Sequence, residues 1–366
     1  MNITQQLHYL VGQSLWLDNI TRELLTSGKL KRYIKESLIT GLTSNPTIFE
    51  KALSQGGFYD ESIREKGFAG KPIEDLFFEL ALEDLVQAAD LFRPIYNATD
   101  GVDGWVSLEI SPLLADDRIG TLKAAKKLYE QAQRPNVFIK IPGTRAGIIA
   151  IEEAIFSGIP INVTLLFSRE HYLAAAEAYM RGIDRRLKAG LSLQVESVAS
   201  LFISRWDTAV NDKVPVELRN QLGIAIGHRT YCAYQELLAS SRWRRLSRAG
   251  ARPQRLLFAS TGVKDPTAPD NLYIEALAAH DTINTMPEKT LATFLNHGQL
   301  KKSVAPDSKE IEARLAHFNQ AGIDIDLLAI QLQHQGAQSF VHSWQQLLQR
   351  IANKYALLAA ADEQPC

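Results

Sequence analysis

Residues 136–141 of the chain read NVFIKI, a short apolar run with one lysine near its end. Similar runs recur along the chain, separated by longer stretches with helical periodicity, and this pattern is typical of βα units and a parallel sheet. Eight runs of this kind occur, namely SLWLD (14–18), ITGLTS (39–44), GWVSLEI (104–110), NVFIKI (136–141), IPINVT (159–164), SLQVESVA (192–199), RLLFAS (255–260) and HDTINT (280–285). Eight parallel strands with intervening helices predict an α/β fold, a closed (β/α)₈ or TIM barrel.

The stretches between the runs carry apolar residues at three- and four-residue spacing, as amphipathic helices do. Ser168 is placed to cap one of these helices. The longest connections, 46–103 and 206–254, also have a helical pattern, and the first predicts a helical insertion between the second and third strands. Within and between these connections, helices are predicted at 74–91, 122–131, 169–188 and 215–240.

The pattern after the eighth run is again helical, from residue 308 to residue 361, with a break at Gly322. We expect residues 301–366 to pack on the barrel as a C-terminal helical wrap. On this interpretation residues 1–366 form a single barrel domain.

The chain has 366 residues and a formal net charge of −1, so it has no long-range field to attract nucleic acid or an acidic membrane surface. Its two cysteines and scattered histidines match no disulfide framework and no metal-site spacing. No apolar stretch reaches the length of a membrane span. We therefore expect a cytoplasmic protein without a metal site. It could be either monomeric or homodimeric.

Lys140 lies near the end of the fourth run, where alternation puts its side chain on the same face as Phe138. Barrels of this type have their active sites at the carboxyl ends of the strands. Burial favours the neutral amine of a lysine, which is the nucleophile in Schiff-base chemistry. The alternative is a structural lysine that pairs with a carboxylate or reaches out to solvent.

Two carboxylates also lie at strand ends, Asp18 in the first run and Glu109 in the third. Schiff-base chemistry needs proton transfer to form the imine and to break the carbon–carbon bond, and carboxylates can supply it. Each has a simpler explanation. Either carboxylate could be the ion-pair partner of Lys140, or Asp18 could cap the following helix.

Polar side chains follow the second and fifth runs. Asn45 precedes Pro46, which is typical of a helix N-cap but also places an amide near a substrate. Asn162 and Thr164 share one strand face at a spacing of two residues, although a buried threonine is common in strands.

An anion site is predicted after the sixth and seventh runs, where barrels often bind phosphate. The candidates are Ser200 and Arg205, followed by Ser260 and Lys264. Arg205 could instead pair with Asp207, and Lys264 could be an exposed loop charge.

These residues lie in motifs that resemble transaldolases, and the resemblance runs from about residue 14 to residue 291. The motifs are LTSNPTIFEKA (42–52), VSLEISP (106–112), VFIKIPGT (137–144), GIPINVTLLFS (158–168) and NTMPEKTL (284–291). The length and the insertion resemble the longer transaldolase subfamily, which also occurs fused to glucose-6-phosphate isomerase.

The resemblance implies a transferase of the non-oxidative pentose phosphate pathway that needs no cofactor. It would move dihydroxyacetone from sedoheptulose 7-phosphate or fructose 6-phosphate to glyceraldehyde 3-phosphate or erythrose 4-phosphate. Lys140 would form the Schiff base with the ketose. Asp18 would be the general acid and base for cleavage between C3 and C4. Glu109 and Thr164 would position a water that relays protons.

The same resemblance implies that Asn45 and Asn162 bind substrate hydroxyls. Ser200, Arg205 and Ser260 would hold the phosphate. The shorter transaldolases have an arginine where this chain has Gly262, so we expect Lys264 to replace that cation. Because lysine is a point charge without a bidentate fork, the phosphate pocket would differ in shape.

Three other functions stay open at this point. The first is an aldolase resembling fructose-6-phosphate aldolase that releases free dihydroxyacetone, although small aldolases of this kind have tyrosine at the position of Glu109. The second is a non-catalytic barrel that binds sugar phosphates. The third is a keto-acid lyase, which would need a pair of cations for a carboxylate in place of the amides.

Overall fold

The computed structural model of the chain describes residues 1–54, 56–67, 70–300 and 307–362. Within them, eight parallel strands form a closed barrel in sequence order, with β8 beside β1. The strands are β1 Ser14–Asp18, β2 Ile39–Thr43, β3 Trp105–Glu109, β4 Val137–Pro142, β5 Ile161–Leu166, β6 Ser197–Phe202, β7 Arg255–Ala259 and β8 Ile283–Met286. The predicted (β/α)₈ barrel is confirmed.

Helices surround the barrel, and three of them fill the predicted insertion between β2 and β3. The helices are α1 Ile3–Gln6, α2 Arg22–Thr26, α3 Lys29–Ser37, α4 Pro46–Ser54, α5 Asp60–Lys66, α6 Ile73–Ala98, α7 Arg118–Ala132, α8 Arg145–Phe156, α9 Arg169–Lys188, α10 Ser204–Val210, α11 Leu222–Ala239, α12 Ser241–Arg248, α13 Leu272–Ala276, α14 Glu288–His297, α15 Ser308–Gln320 and α16 Ile325–Asp362. In the part of the chain that the structure describes, none of them has the length and apolarity that crossing a membrane requires.

The sixth strand was predicted wrongly at 192–199, because it begins only at Ser197. Leu193 and Val195 are buried and alternate as strand residues do, but they lie in an irregular segment before β6 that pairs with no neighbouring strand. The Tyr179 hydroxyl of α9 donates to the Val195 carbonyl. Burial against a helix thus produced a strand-like pattern outside the barrel.

The other predicted boundaries lie closer to the observed ends of the helices and strands. α9 spans the predicted residues, and Ser168 caps it by accepting from the His171 backbone. The helix predicted at 215–240 begins later, at Leu222, after a 3₁₀ turn at Val216–Leu218. β8 begins at Ile283, after the predicted start at residue 280.

An aromatic layer fills the barrel below the strand ends. Trp105 stacks on Phe138 with ring centroids 4.0 Å apart, and Trp16 lies 6.2 Å from Phe138. Gly41 makes room for this layer, because a Cβ there would lie 2.6 Å from the Trp16 ring. Since Trp16 and Phe138 precede Asp18 and Lys140 by two residues, the aromatic layer is the floor of the site above it.

Candidate active site

Three polar side chains stand side by side on neighbouring strands above the aromatic floor. In the strand register Glu109 of β3 lies opposite Lys140 of β4, and Lys140 lies opposite Asn162 of β5. All three are buried, with Lys140 only 6% exposed. The register therefore brings together residues of three successive strands that are far apart in the sequence.

The Lys140 ammonium has two partners. Its Nζ donates to the Ser44 carbonyl at 2.6 Å and lies 3.3 Å from Glu109 Oε2. Lys140 therefore does not reach out to solvent, and it does pair with a carboxylate. The pair alone does not separate a catalytic from a structural lysine, so the surrounding groups decide.

Glu109 is a buried carboxyl beside the Lys140 ammonium. Burial raises the pKa of Glu109, and the nearby charge of Lys140 offsets this in part. The Thr164 hydroxyl donates to Glu109 Oε1 at 3.4 Å, on the side away from Lys140. Glu109 can thus exchange a proton with Lys140 while Thr164 holds its other oxygen.

Asp18 is the second carboxyl of the site, and it is half-buried at the end of β1. Thr43 donates to Asp18 Oδ1 at 2.9 Å, and Asn45 Nδ2 lies 3.5 Å from Oδ2. Burial raises the pKa of Asp18, which Lys140 and Lys264 oppose. The cap of α2 is Thr21, so the capping explanation for Asp18 is wrong.

Asn45 caps a helix and also presents its amide to the site. Its Oδ1 accepts from the Ile48 backbone and so begins α4. Its Nδ2 points the other way, to Asp18. Capping therefore fixes the amide in an orientation that faces the site.

Asn162 is held from both sides of the barrel interior. Its Nδ2 donates to the Ser107 hydroxyl at 3.2 Å, and its Oδ1 accepts from the Ser200 hydroxyl at 2.7 Å. Ser200 lies within β6 and does not follow it, because the strand is shifted relative to the prediction. The Ser200 hydroxyl is committed to the amide, and its predicted contact with phosphate stays a prediction.

The loops after β6 and β7 meet at two hydroxyls. Ser204 Oγ and Ser260 Oγ are 2.9 Å apart, and the Ser204 backbone donates to the Ser260 carbonyl. Ser260 has a φ of 56°. Arg205 follows Ser204 directly, so a cation is next in sequence to one of the two hydroxyls.

Arg205 does not pair with Asp207, which was the structural alternative. The Asp207 carboxylate accepts instead from the backbone of Leu222 and Gly223 and from the Tyr273 hydroxyl. Among the described residues, Arg205 has no hydrogen bond or ion pair. Burial lowers its pKa, but a guanidinium stays charged at neutral pH.

Lys264 is exposed in the loop after β7. Its charge lowers the pKa of Asp18, so it lies close enough to affect the carboxyl across the site. Because Lys264 follows β7, it belongs to the loops at the carboxyl ends of the strands, the end of the barrel at which Asp18 lies.

Several residues of the site were missed by sequence reasoning. They are Thr43 on Asp18, Ser44 on Lys140, Ser107 on Asn162, and Ser204 on Ser260. Thr43 and Ser44 adjoin the predicted end of β2, so strand position could have found them. The role of Ser44 is carried by its backbone, for which the sequence holds no signal.

Metal ligands and reactive cysteines are the remaining groups that could form a site. Among the described residues, no group of three or more His, Cys, Asp and Glu side chains is placed to hold a metal ion. Burial raises the pKa of Cys232, which disfavours its reactive thiolate. Cys366 lies outside the described residues.

Comparison with known proteins gives matches over nearly the whole chain. Residues 15–351 match the family described as Transaldolase/Fructose-6-phosphate aldolase. A transaldolase of Thermobifida fusca (strain YX) is 42% identical over 94% of the chain and 96% of its own length. A transaldolase of Thiobacillus denitrificans is 41% identical over 96% of the chain and 100% of its own length.

Proposed function

Because the chain belongs to the transaldolase family, we propose that it transfers a dihydroxyacetone unit between sugar phosphates through a Schiff base on Lys140. The match to curated transaldolases over nearly the whole chain supports the activity, a transferase activity in the pentose phosphate pathway. The observation that carries the mechanism is the buried Lys140 ammonium beside a carboxyl with a raised pKa, Glu109.

Formation of the Schiff base begins when Glu109 takes a proton from Lys140 across 3.3 Å. The neutral amine adds to the C2 carbonyl of the ketose, and the oxygen of the resulting carbinolamine leaves as water after it is protonated. Both protons of the leaving water come from the former ammonium, and Glu109 relays them through a water that Thr164 helps to position. The product is a protonated imine at Lys140.

Asp18 acts in the second half of the reaction. Its carboxylate takes the proton of the C4 hydroxyl, the bond between C3 and C4 breaks, and its electron pair moves to the imine nitrogen as an enamine. The aldose leaves. The acceptor aldehyde then adds to the enamine and takes the proton back from Asp18, whose raised pKa suits both directions. Water hydrolyses the new imine, which releases the product ketose and restores Lys140.

The remaining polar groups bind the substrate. Asn45 and Asn162 are held in fixed orientations and donate to hydroxyls of the three-carbon unit. Arg205, Ser260 and Lys264 bind the phosphate, with Ser204 added because its hydroxyl lies 2.9 Å from that of Ser260.

Ser200 supports Asn162 through its hydrogen bond, and its predicted contact with phosphate is kept as a proposal. The donors are sedoheptulose 7-phosphate and fructose 6-phosphate. The acceptors are glyceraldehyde 3-phosphate and erythrose 4-phosphate. A cytoplasmic location stays part of the proposal, because two cysteines without a disulfide framework suit a reducing compartment.

The test is the mass of the intact protein after incubation with fructose 6-phosphate and sodium borohydride. Wild type should gain a reduced three-carbon adduct at Lys140, and Lys140→Ala should gain none. An active wild-type protein without an adduct would contradict the Schiff base. Free dihydroxyacetone released during turnover would instead favour the aldolase.

A further inference from the structure

The last helix, α16, forms part of the wall of the active site. Gln333, Gly336 and Phe340 lie on one face of it, at spacings of three and four residues. The Gln333 amide donates to the carbonyls of Gly143, just after β4, and Leu165, in β5, at 3.1 and 2.9 Å. These bonds fix the helix to the two strands that carry Lys140 and Thr164.

The contact with β5 falls where that strand is irregular. Leu165 has a φ of 57°, in the left-handed region, and the register with β6 shifts between Val163 and Leu166. Because a non-glycine residue in this region is strained, the surrounding structure must hold it. Gln333 binds the Leu165 carbonyl, so helix and strand position each other.

Arg205 lies between this helix and β6. The guanidinium carbon is 5.3 Å from the Phe202 ring centroid and 5.7 Å from that of Phe340. These two rings are buried, and they lie against the Arg205 guanidinium, which has no hydrogen bond or ion pair among the described residues. The rings therefore determine where the cation lies.

Gly336 completes the enclosure. A Cβ built on it would lie 2.9 Å from Arg205 Nη1 and 3.0 Å from Leu165 Cδ2. The guanidinium thus passes directly against the helix backbone, and a methyl group at Gly336 would displace the end of a flexible side chain.

We propose that Gly336 and Phe340 are positioning residues that aim Arg205 at the substrate phosphate and so give the enzyme its preference for phosphorylated ketoses. The inference rests on the proposed function, in which Arg205 binds phosphate. It assigns the specificity to a helix that follows the last strand by almost forty residues. Neither residue touches the reacting carbons.

The decisive variant is Gly336→Ala, because alanine favours a helix interior over glycine and the fold should be retained. The KM for fructose 6-phosphate should rise about tenfold, as expected when a cation loses its place against aromatic rings. Turnover at saturation should stay unchanged, and the activity with unphosphorylated fructose should not fall. Phe340→Leu should act in the same way.

Gln335→Ala is the matched control, since it changes the exposed neighbour on the same helix. Borohydride trapping with dihydroxyacetone, which carries no phosphate, should label Lys140 equally in wild type and all variants. If wild type is not labelled, the proposed function fails. If it is labelled but Gly336→Ala has the KM of wild type, or loses fructose and fructose 6-phosphate activity equally, the positioning role is wrong.

Discussion

Each end of the barrel holds a buried pair of a cation and a carboxylate. At the carboxyl ends of the strands, Lys140 Nζ lies 3.3 Å from Glu109, and at the amino ends Arg255 Nη1 lies 3.2 Å from Asp103. The side chains are similarly buried, at 7% and 7% exposed in the first pair and 13% and 4% in the second. Distance and burial therefore do not explain why we propose catalysis for only one of the two pairs.

The pair at the amino ends, Arg255 and Asp103, is called the lower pair, and Lys140 with Glu109 is the upper pair. The lower pair is saturated with hydrogen bonds. Arg255 also donates to the Ser14 hydroxyl and the Thr282 carbonyl. Asp103 also accepts from Ser14 at 2.7 Å and from the Trp16 indole at 3.4 Å. Since an arginine does not lose its proton in proteins, Arg255 cannot become a neutral nucleophile, and its hydrogen bonds indicate a structural role.

The upper pair differs in both respects. Lys140 has two partners among the described residues, Ser44 and Glu109, and a lysine can become a neutral amine. The pKa of Glu109 is raised by burial, so a proton can move within the pair. Reactivity thus comes from groups that can titrate and are incompletely bonded, and not from the ion pair itself.

Lys140→Arg makes the upper pair resemble the lower one and should have the largest effect. The cation beside Glu109 is kept, but the nucleophile is lost, so transfer activity should fall by about 10⁴-fold or more. A coupled assay for the released aldose measures this, with circular dichroism to verify the fold. If Lys140→Arg keeps more than about one hundredth of the wild-type activity, a neutral amine is not what separates the upper pair from the lower one.

Asp18→Asn tests whether the charged carboxylate of Asp18 lowers the stability of the folded protein. Loss of the general acid and base should reduce turnover by about 10²–10⁴-fold. Burial raises the pKa of Asp18 above 3.8, so the folded state binds its proton more tightly than the unfolded chain does. Wild-type stability from this group is therefore lost as pH rises through the folded-state pKa.

The asparagine variant should consequently melt at a higher temperature than wild type at pH 7. The difference should shrink as pH is lowered towards 3.8, the ordinary value for an aspartate. Calorimetry over a pH series measures it. If the variant is less stable than wild type at pH 7, the Asp18 carboxylate does not destabilise the folded protein and the prediction is wrong.

Arg255→Ala should break the structural pair without touching the chemistry. Asp103 would lose its ion-pair partner in a buried place, which costs about 3–5 kcal/mol of unfolding free energy. Turnover should not change. Arg134→Ala is the control, because Arg134 pairs with Asp90 on the surface, where about 0–1 kcal/mol is expected. Equal losses in urea unfolding would contradict the comparison.

Lys264→Ala should have the smallest effect. Because Lys264 is exposed, its loss should raise the KM for fructose 6-phosphate by only about two- to fivefold. The difference from wild type should diminish at high salt, which screens exposed charges. Lys123→Ala, on the outer helix α7, should leave the KM unchanged. Equal KM values at low salt for Lys264→Ala and wild type would remove Lys264 from the phosphate site.

Much of the fold could be predicted because strand signals are local. β1 has the predicted bounds, and Asp18 at its end faces the site as the barrel geometry requires. β6 shows where this fails, since Leu193 and Val195 alternate and are buried without pairing. A sequence pattern records burial, and it does not record which neighbour covers the side chain.

The sequence by itself determined the barrel and the strand-end positions of Lys140, Glu109 and Asp18, because alternation and strand ends are properties of a few adjacent residues. Only the tertiary structure decided their partners. The Ser44 carbonyl on Lys140 and the Phe340 ring on Arg205 join segments about 100 residues or more apart. Such contacts follow from barrel closure and from the packing of α16, and neither leaves a local trace in the sequence.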